Sequence, residues 1–317
     1  MGGVVVSIVG PTASGKTELA IEVANRLGTE IVNADARQVF KGMAIGTAQP
    51  TAEERAAAPH YFIDFLEPES LYSAGAFEAD AVPVLTSLCM QKGAAVLAGG
   101  SGMYVEAALR GLDNLPADLA VRKVLNARLA SGGLDPLLAE LKQLDPAHAE
   151  KMDVNNPQRV VRALEVCLST GAPFSSFHKD QDKERPWRVV SIGLRPDRAL
   201  LRERIAERAE RMMARGWLDE VQALLPYRET NALNTVGYKE LFQHLDGTMP
   251  LEDAMAQLTT KTRQFAKRQM TWFRKDPRTT WFDFDADTRA STLEQAAAHA
   301  VAQATGSPLP PDTNLSS

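Results

Sequence analysis

Short apolar runs alternate with helix-length stretches over the first hundred positions. Residues 4–9 and 94–98 are almost wholly apolar and too brief for helices, so they read as strands buried on both faces. Residues 30–35 form a second short strand ending in Asp35, and 61–64 a third candidate ending in Asp64. A helical repeat runs over 18–27, and another over 74–93 in spite of Pro83, with Val84, Leu85 and Leu88 on its apolar face. Strands and helices in turn predict an α/β fold with a parallel sheet. Ligands on such sheets lie beyond the carboxyl ends of the strands. That rule brings the turn after residue 9, Asp35 and the turn Gly99-Gly100-Ser101-Gly102 to one rim.

Past Pro116 the pattern changes to helices broken by Pro and Gly, at 119–130, 135–144 and 157–169, which predicts a helical insertion over 116–186. The run 187–194 reads as a strand that rejoins the sheet. Helices follow at 198–215, 218–225, 238–245 and 251–274, then a short strand at 280–282 and a terminal helix. The predicted core is therefore 1–115 together with 187–306. Residues 307–317, rich in Pro, Ser and Asp, are expected to form a disordered tail.

The first turn carries the chemistry. Gly10-Pro11-Thr12-Ala13-Ser14-Gly15-Lys16-Thr17 stands between a strand and a helix, the context in which G-x-x-x-x-G-K-[ST] is a phosphate cradle. Gly10 and Gly15 let the backbone curl until several N–H groups face one anion. The helix start adds its positive dipole end. Lys16 supplies a point charge, and the Thr17 hydroxyl is the expected ligand of Mg²⁺. The fold expected is thus a P-loop NTPase-like parallel sheet, flanked by helices, with a helical insertion domain.

Composition narrows this further. The chain has 317 residues, 44% of them hydrophobic, and a formal charge of -5. It has core enough for one large domain or two. No run is long enough to span a bilayer, and Cys89 and Cys167 are too few for a disulfide framework, so a cytoplasmic protein is expected. The negative total argues mildly against nucleic acid as partner, but the charge is uneven. Between 261 and 278 stand Lys261, Arg263, Lys267, Arg268, Arg274, Lys275 and Arg278 against Asp276 alone, interleaved with Phe265, Trp272 and Phe273. Such a stripe is an electrostatic footprint for phosphates. By contrast Arg202, Arg204, Arg208, Arg211 and Arg215 alternate with Glu203, Glu207 and Glu210, the pattern of an exposed, self-paired helix from which one arginine could face inward. His60 reads as structural, His148, His178, His244 and His299 as surface residues, and Met212, Met213, Trp217, Cys89 and Cys167 as core.

These residues leave several chemistries open. A kinase or a nucleotide-dependent switch would hold ATP at the loop; a transferase would use Asp35 on an acceptor amine. The sequence also resembles a known family. GPTASGKT (10–17), NADARQVF (33–40), MAIGTAQP (43–50), PHYFIDF (59–65), YSAGAF (72–77), AGGSGMY (98–104), NNPQRVVRALEV (155–166), TVGYKE (235–240) and TRQFAKRQMTWFR (262–274) are similar, in this order, to the tRNA dimethylallyltransferase (isopentenyl-tRNA transferase) family of bacterial type.

The resemblance implies transfer of a five-carbon prenyl group from dimethylallyl diphosphate to N6 of the adenine just 3′ of the anticodon, in tRNAs reading codons that begin with U. The loop would then hold a diphosphate leaving group. Lys16, Mg²⁺ on Thr17 and, by family analogy, Arg208 would stabilise its charge, with Asp35 as general base and Ser101 positioning the amine. Gln38 would read the adenine edge, beside Ala36 and Arg37, and the base would be extruded from its stack. Contacts to the tRNA anticodon stem-loop are implied for Gln158, Arg159 and Arg162, and for Arg122 and Lys123 on the insertion. They are also implied for Thr235, Val236, Gly237, Tyr238 and Lys239, and for Lys267, Arg268, Gln269, Trp272 and Arg274. A monomer without membrane attachment is expected. A prenyltransferase acting on free adenylate is the alternative within the same chemistry; it would not need the basic stripe. The sequence departs from the family pattern at Ala36, Phe40, Ala44, Ser101 and Asn156, where Ser, Tyr, Asp, Thr and Asp are usual.

Overall fold

The computed structural model describes residues 2–113, 115–177 and 182–308. His178 and positions 309–317 of the expected tail lie outside the described residues. In chain order, β1 (Val4–Val9) leads through the glycine-rich turn into α1 (Lys16–Leu27), followed by β2 (Ile31–Asn33), α2 (Ala52–Ala57), β3 (His60–Tyr61), α3 (Ala74–Lys92), β4 (Ala94–Ala98) and α4 (Gly102–Arg110). Four helices follow: α5 (Leu119–Gly132), α6 (Asp135–Leu144), α7 (Pro146–Lys151) and α8 (Pro157–Thr170). Then come β5 (Arg188–Pro196), α9 (Arg198–Ala214), α10 (Trp217–Ala223), α11 (Tyr238–Leu245), α12 (Leu251–Phe273), β6 (Thr279–Phe284) and α13 (Arg289–Thr305). The chain divides into two compact units, 1–110 with 184–317, and 111–183.

In the first unit all six strands are parallel, in the order β3-β2-β4-β1-β5-β6. β1 is central, with Val5 opposite both Ala95 and Val189. Its alternation serves both faces. Val4, Val6 and Ile8 pack with Leu19 and Val23 of α1 and Ala296 and Ala300 of α13, while Val5 and Val9 pack with Phe77 and Leu85 of α3 and Val105 of α4. Each such aliphatic side chain contributes about 1.5–3 kcal/mol on burial, which is why the run has no polar face. A third cluster joins Val39, Phe40 and Met43 to Met212, Trp217, Tyr238, Leu241 and Leu258.

The expected strand over 61–64 stops at Tyr61, because Phe62 and Asp64 take positive φ of 63° and 56° and turn the chain away. Pro83 is held inside α3 without ending it. His299, expected at the surface, is only 4% exposed. It lies edge-on to Phe282 at 5.5 Å between ring centroids, and its Nδ1 has no hydrogen-bond partner. His148 and His244 are half-buried. The core expectation held for Met212, Trp217, Cys89 and Cys167, with Met213 half-buried against the same cluster.

The second unit is helical, built on Leu125, Leu137, Leu141, Val160, Leu164 and Phe174. The buried carboxylate of Glu165 accepts hydrogen bonds from Arg122 at 2.7 and 2.9 Å, Arg162 at 2.8 Å and the Asp118 amide at 2.9 Å. Burial pushes this carboxyl up, but the bonds from Arg122, Asp118 and Arg162 outweigh it and hold it below the usual range. Arg122 and Arg162 are thus engaged within their own unit while staying partly exposed; Lys123, Gln158 and Arg159 are exposed. Asn156, in place of the usual Asp, still caps α8 through the amides of Gln158 and Arg159.

Burial lowers the His299 imidazole below its ordinary 6.5. The unfolded chain then binds the extra proton first, so stability falls as pH drops through about 6.5. His299→Leu is expected to flatten that acid slope, as read from thermal midpoints across the pH range; an unaltered slope would assign the acid sensitivity to another group.

Candidate active site

β2, β4 and β1 are neighbours in the sheet, so the turns leaving their carboxyl ends lie side by side. Gly99 is pressed onto β2's exit: a Cβ there would stand 2.1 Å from the Ala34 carbonyl oxygen. The Ser101 amide donates to Ala34 at 3.1 Å, and the Ser101 hydroxyl accepts from the Ala36 amide at 2.8 Å. Asp35 is set by its own turn, its Oδ1 accepting from the amides of Arg37 at 2.9 Å and Gln38 at 3.3 Å. Asp35 and Ser101 are therefore locked to one another through the backbone.

The glycine-rich loop faces them. α1 begins at Gly15, at φ 98°, with no side-chain cap, so its first amides have no protein side chain to bind. A Cβ on Gly10 would stand 2.7 Å from the Leu194 carbonyl oxygen. Lys16 folds over the loop and donates to the Pro11 carbonyl at 2.8 Å. α9 braces the loop from the side: Arg208 donates to the Thr12 hydroxyl at 2.9 Å and Arg204 to the Ala13 carbonyl at 2.8 Å. The expected self-paired helix is therefore only half right. Arg211 pairs with Glu207 on the exposed side, while Arg204 and Arg208 turn inward. Burial pulls the Lys16 ammonium down to about 8; Asp35 opposes this and Arg208 adds to it. Burial likewise lowers Arg208, again opposed by Asp35.

These elements enclose a cleft of about 930 Å³. The loop from Thr12 to Thr17, the segment Asp35–Gln38, Gly99–Ser101 and the α9 arginines Arg204, Arg208, Arg211 and Arg215 line it, the last two at its exposed mouth. Thr235, Val236, Lys239, Lys261, Phe265 and Arg268 complete the wall. The loop, Asp35, Ser101 and Arg208 are thus brought together. Several expected RNA contacts are placed differently. Tyr238 is fully buried and donates to Glu220 at 2.7 Å, and Gly237 is packed under Trp217. Gln38 spends its amide nitrogen on the carbonyls of Thr47 at 3.1 Å and Ala48 at 2.8 Å, which shapes the cleft wall. Gln269 is 7% exposed and points inward. Lys261 is drawn to Glu240 at 2.6 Å, and Arg278 to Asp276. Lys267, Arg268 and Arg274 remain exposed, with Trp272 half-buried.

Sequence reasoning missed Arg204, the wall segment 46–51 and Glu220, which accepts from the amides of Ile45 and Gly46 at 2.7 and 2.8 Å. The recurrence of Arg204, Arg208, Arg211 and Arg215 at helical spacing was the available signal for the first. Among the described residues no group of three or more His, Cys, Asp or Glu side chains could hold a metal ion.

A family model described as IPP transferase matches residues 38–276. The chain belongs to the IPP transferase family. Among relatives, it is 47% identical over 290 residues to the tRNA dimethylallyltransferase of Christiangramia forsetii, covering 91% of this chain and 96% of the other. Among solved structures it is similar to the tRNA isopentenylpyrophosphate transferase of Bacillus halodurans, at 36% identity and a TM-score of 0.68, over 95% of this chain and 98% of that one. A eukaryotic dimethylallyltransferase, crystallised in a study of its action on tRNA, superposes with a TM-score of 0.81 at 25% identity, over 97% of this chain and 81% of that one. Family membership fits the parallel sheet and the glycine-rich turn described above.

Affinity of the free enzyme for inorganic pyrophosphate is expected to fall as pH rises through about 8, where Lys16 loses its proton. Lys16→Arg, whose guanidinium stays charged, should remove that inflection in calorimetric titrations. An inflection that survives the substitution would place the titrating group elsewhere.

Proposed function

We propose that this chain transfers a dimethylallyl group from dimethylallyl diphosphate to N6 of the adenine 3′-adjacent to the anticodon in tRNAs reading UNN codons. The product is N6-(dimethylallyl)adenosine. The observation that carries the reading is the opposition, within one cleft, of an anion nest with Lys16 and Arg208 to the backbone-locked pair Asp35 and Ser101. Family membership and the names of the relatives support it.

The adenine amine is a weak nucleophile because its lone pair is delocalised into the ring. Substitution at C1 of the prenyl group then needs charge stabilised on the departing side and a proton taken on the other. The C1–oxygen bond breaks with its electron pair going to diphosphate. The α1 amides, Lys16 and Arg208 bind that growing charge where burial keeps water from screening it. The N6–C1 bond forms, and the N6 proton passes to the Asp35 carboxylate. Ser101, whose oxygen already accepts from Ala36, holds the amine against Asp35.

Thr17 lines the cleft beside the loop. A single hard hydroxyl, completed by phosphate oxygens and water, is the kind of donor set Mg²⁺ accepts, so the residues fit that ion and Thr17 would hold it. When bound, Mg²⁺ supplies neutralising charge for the diphosphate.

Arg268 and Phe265 at the cleft wall, with exposed Lys267 and Arg274, form the surface assigned to the anticodon stem-loop. A monomer is the assembly proposed. No helix among the described residues is long and apolar enough to cross a membrane, and a cytoplasmic enzyme fits two free thiols, Cys89 and Cys167.

Asp35→Asn should leave RNA affinity near wild type while turnover falls by about 10²–10⁴-fold. Labelled dimethylallyl diphosphate with undermodified tRNA, followed by nucleoside analysis, measures it; full turnover in the variant removes Asp35 as base. The same assay with wild type and no prenylated adenosine would overturn the function itself. Stem-loop affinity should also drop linearly on logarithmic axes as salt rises, with a slope of about −0.7 to −0.9 per phosphate neutralised. A flat response would mean that the basic face of α12 is only solvated.

A further inference from the structure

The Gln269 side chain bonds both halves of the cleft. Its Oε1 accepts from the Thr12 amide of the anion loop at 2.8 Å, and its Nε2 donates to the Gly100 carbonyl, beside Ser101, at 2.8 Å. These atoms are within a side chain that is 7% exposed, so both bonds are shielded from water. The fit leaves no slack. A Cβ on Gly100 would stand 2.4 Å from Gln269 Nε2, and one on Gly102 would stand 2.2 Å from Trp272. α12 thus presses two side chains, three residues apart on one helical face, onto the turn that carries Ser101. The opposite face of the same helical segment presents Lys267, Thr271 and Arg274 to solvent, with Arg268 on its flank at the cleft wall.

We propose that Gln269 is a positioning residue that couples the diphosphate half of the site to the RNA half, through α12. This rests on the function proposed above. An anion in the loop orders the Thr12 backbone, and RNA on the outer face of α12 orders the helix. Gln269 joins the two, so each ligand meets a partner loop already set in place. The coupling is therefore positive and, by linkage, reciprocal. The glutamine carboxamide suits this because it offers one acceptor to an N–H and one donor to a carbonyl, at opposite edges of a single planar group.

The test measures the dissociation constant of a synthetic anticodon stem-loop RNA with and without saturating inorganic pyrophosphate, and that of pyrophosphate with and without RNA. Wild type is expected to bind each ligand at least about fivefold more tightly in the presence of the other. Gln269→Glu keeps the acceptor for Thr12 but sets an oxygen against the Gly100 carbonyl; Gln269→Ala breaks both links. In either variant the ratio should fall to about one while each ligand still binds, with a melting profile confirming that the variant is folded. A merely structural role would weaken both affinities and leave their ratio intact, and that outcome overturns the coupling. So would a wild-type ratio of one. Wild type that binds pyrophosphate but no RNA at any salt concentration would remove the function reading, and the coupling with it.

Discussion

The site depends on the lateral contact between the turns that leave β2, β4 and β1. In a parallel sheet these turns emerge at the same edge, and here their strands are adjacent, so the carboxylate, the hydroxyl and the anion nest need no long loop to meet. The contact is made by backbone. Gly99 lies directly on Ala34, and the Ser101 hydroxyl and amide hold the Ala36 amide and the Ala34 carbonyl. Any side chain at position 99 would push the two turns apart and separate Asp35 from Ser101.

That arrangement concentrates like charge. Lys16 and Arg208 are desolvated at the same rim, and each is partly compensated by Asp35. Two half-buried cations side by side are electrostatically costly, since each loses part of its hydration. The proposed diphosphate would relieve that cost. In the proposed reaction, affinity for the leaving group and stabilisation of its developing charge would come from the same residues, and the prenyl tail, at about 0.8 kcal/mol per buried methylene, would add little.

The helices of the second half of the chain work as braces more than as contact surfaces. α9 holds the loop through Arg204 and Arg208, and α12 holds the loop and the Ser101 turn through Gln269. Glu220 of α10 fixes the amides of Ile45 and Gly46, and Gln38 the carbonyls of Thr47 and Ala48, so the opposite wall is equally well determined. Residues that resemble ligand contacts in a linear motif are here occupied in supporting the cleft.

The division between what was legible and what was not follows the range of the interactions. The apolar runs of β1 and β4, the glycine spacing of the loop, the helical repeats and the position of Asp35 at a strand end all arise from residues close in sequence, and periodicity and turn chemistry reveal them. Which face of a helix meets the cleft is decided by distant packing. The sequence by itself determined the glycine-rich loop, the parallel α/β core and the place of Asp35 just past a strand end. Only the tertiary structure decided that Arg204 and Arg208 face in, that Tyr238 and His299 are buried, and that Gln269 is a strut: Arg204, Arg208 and Gln269 bond backbone or side chains well over a hundred positions away, and which helix face is covered is settled by packing between elements.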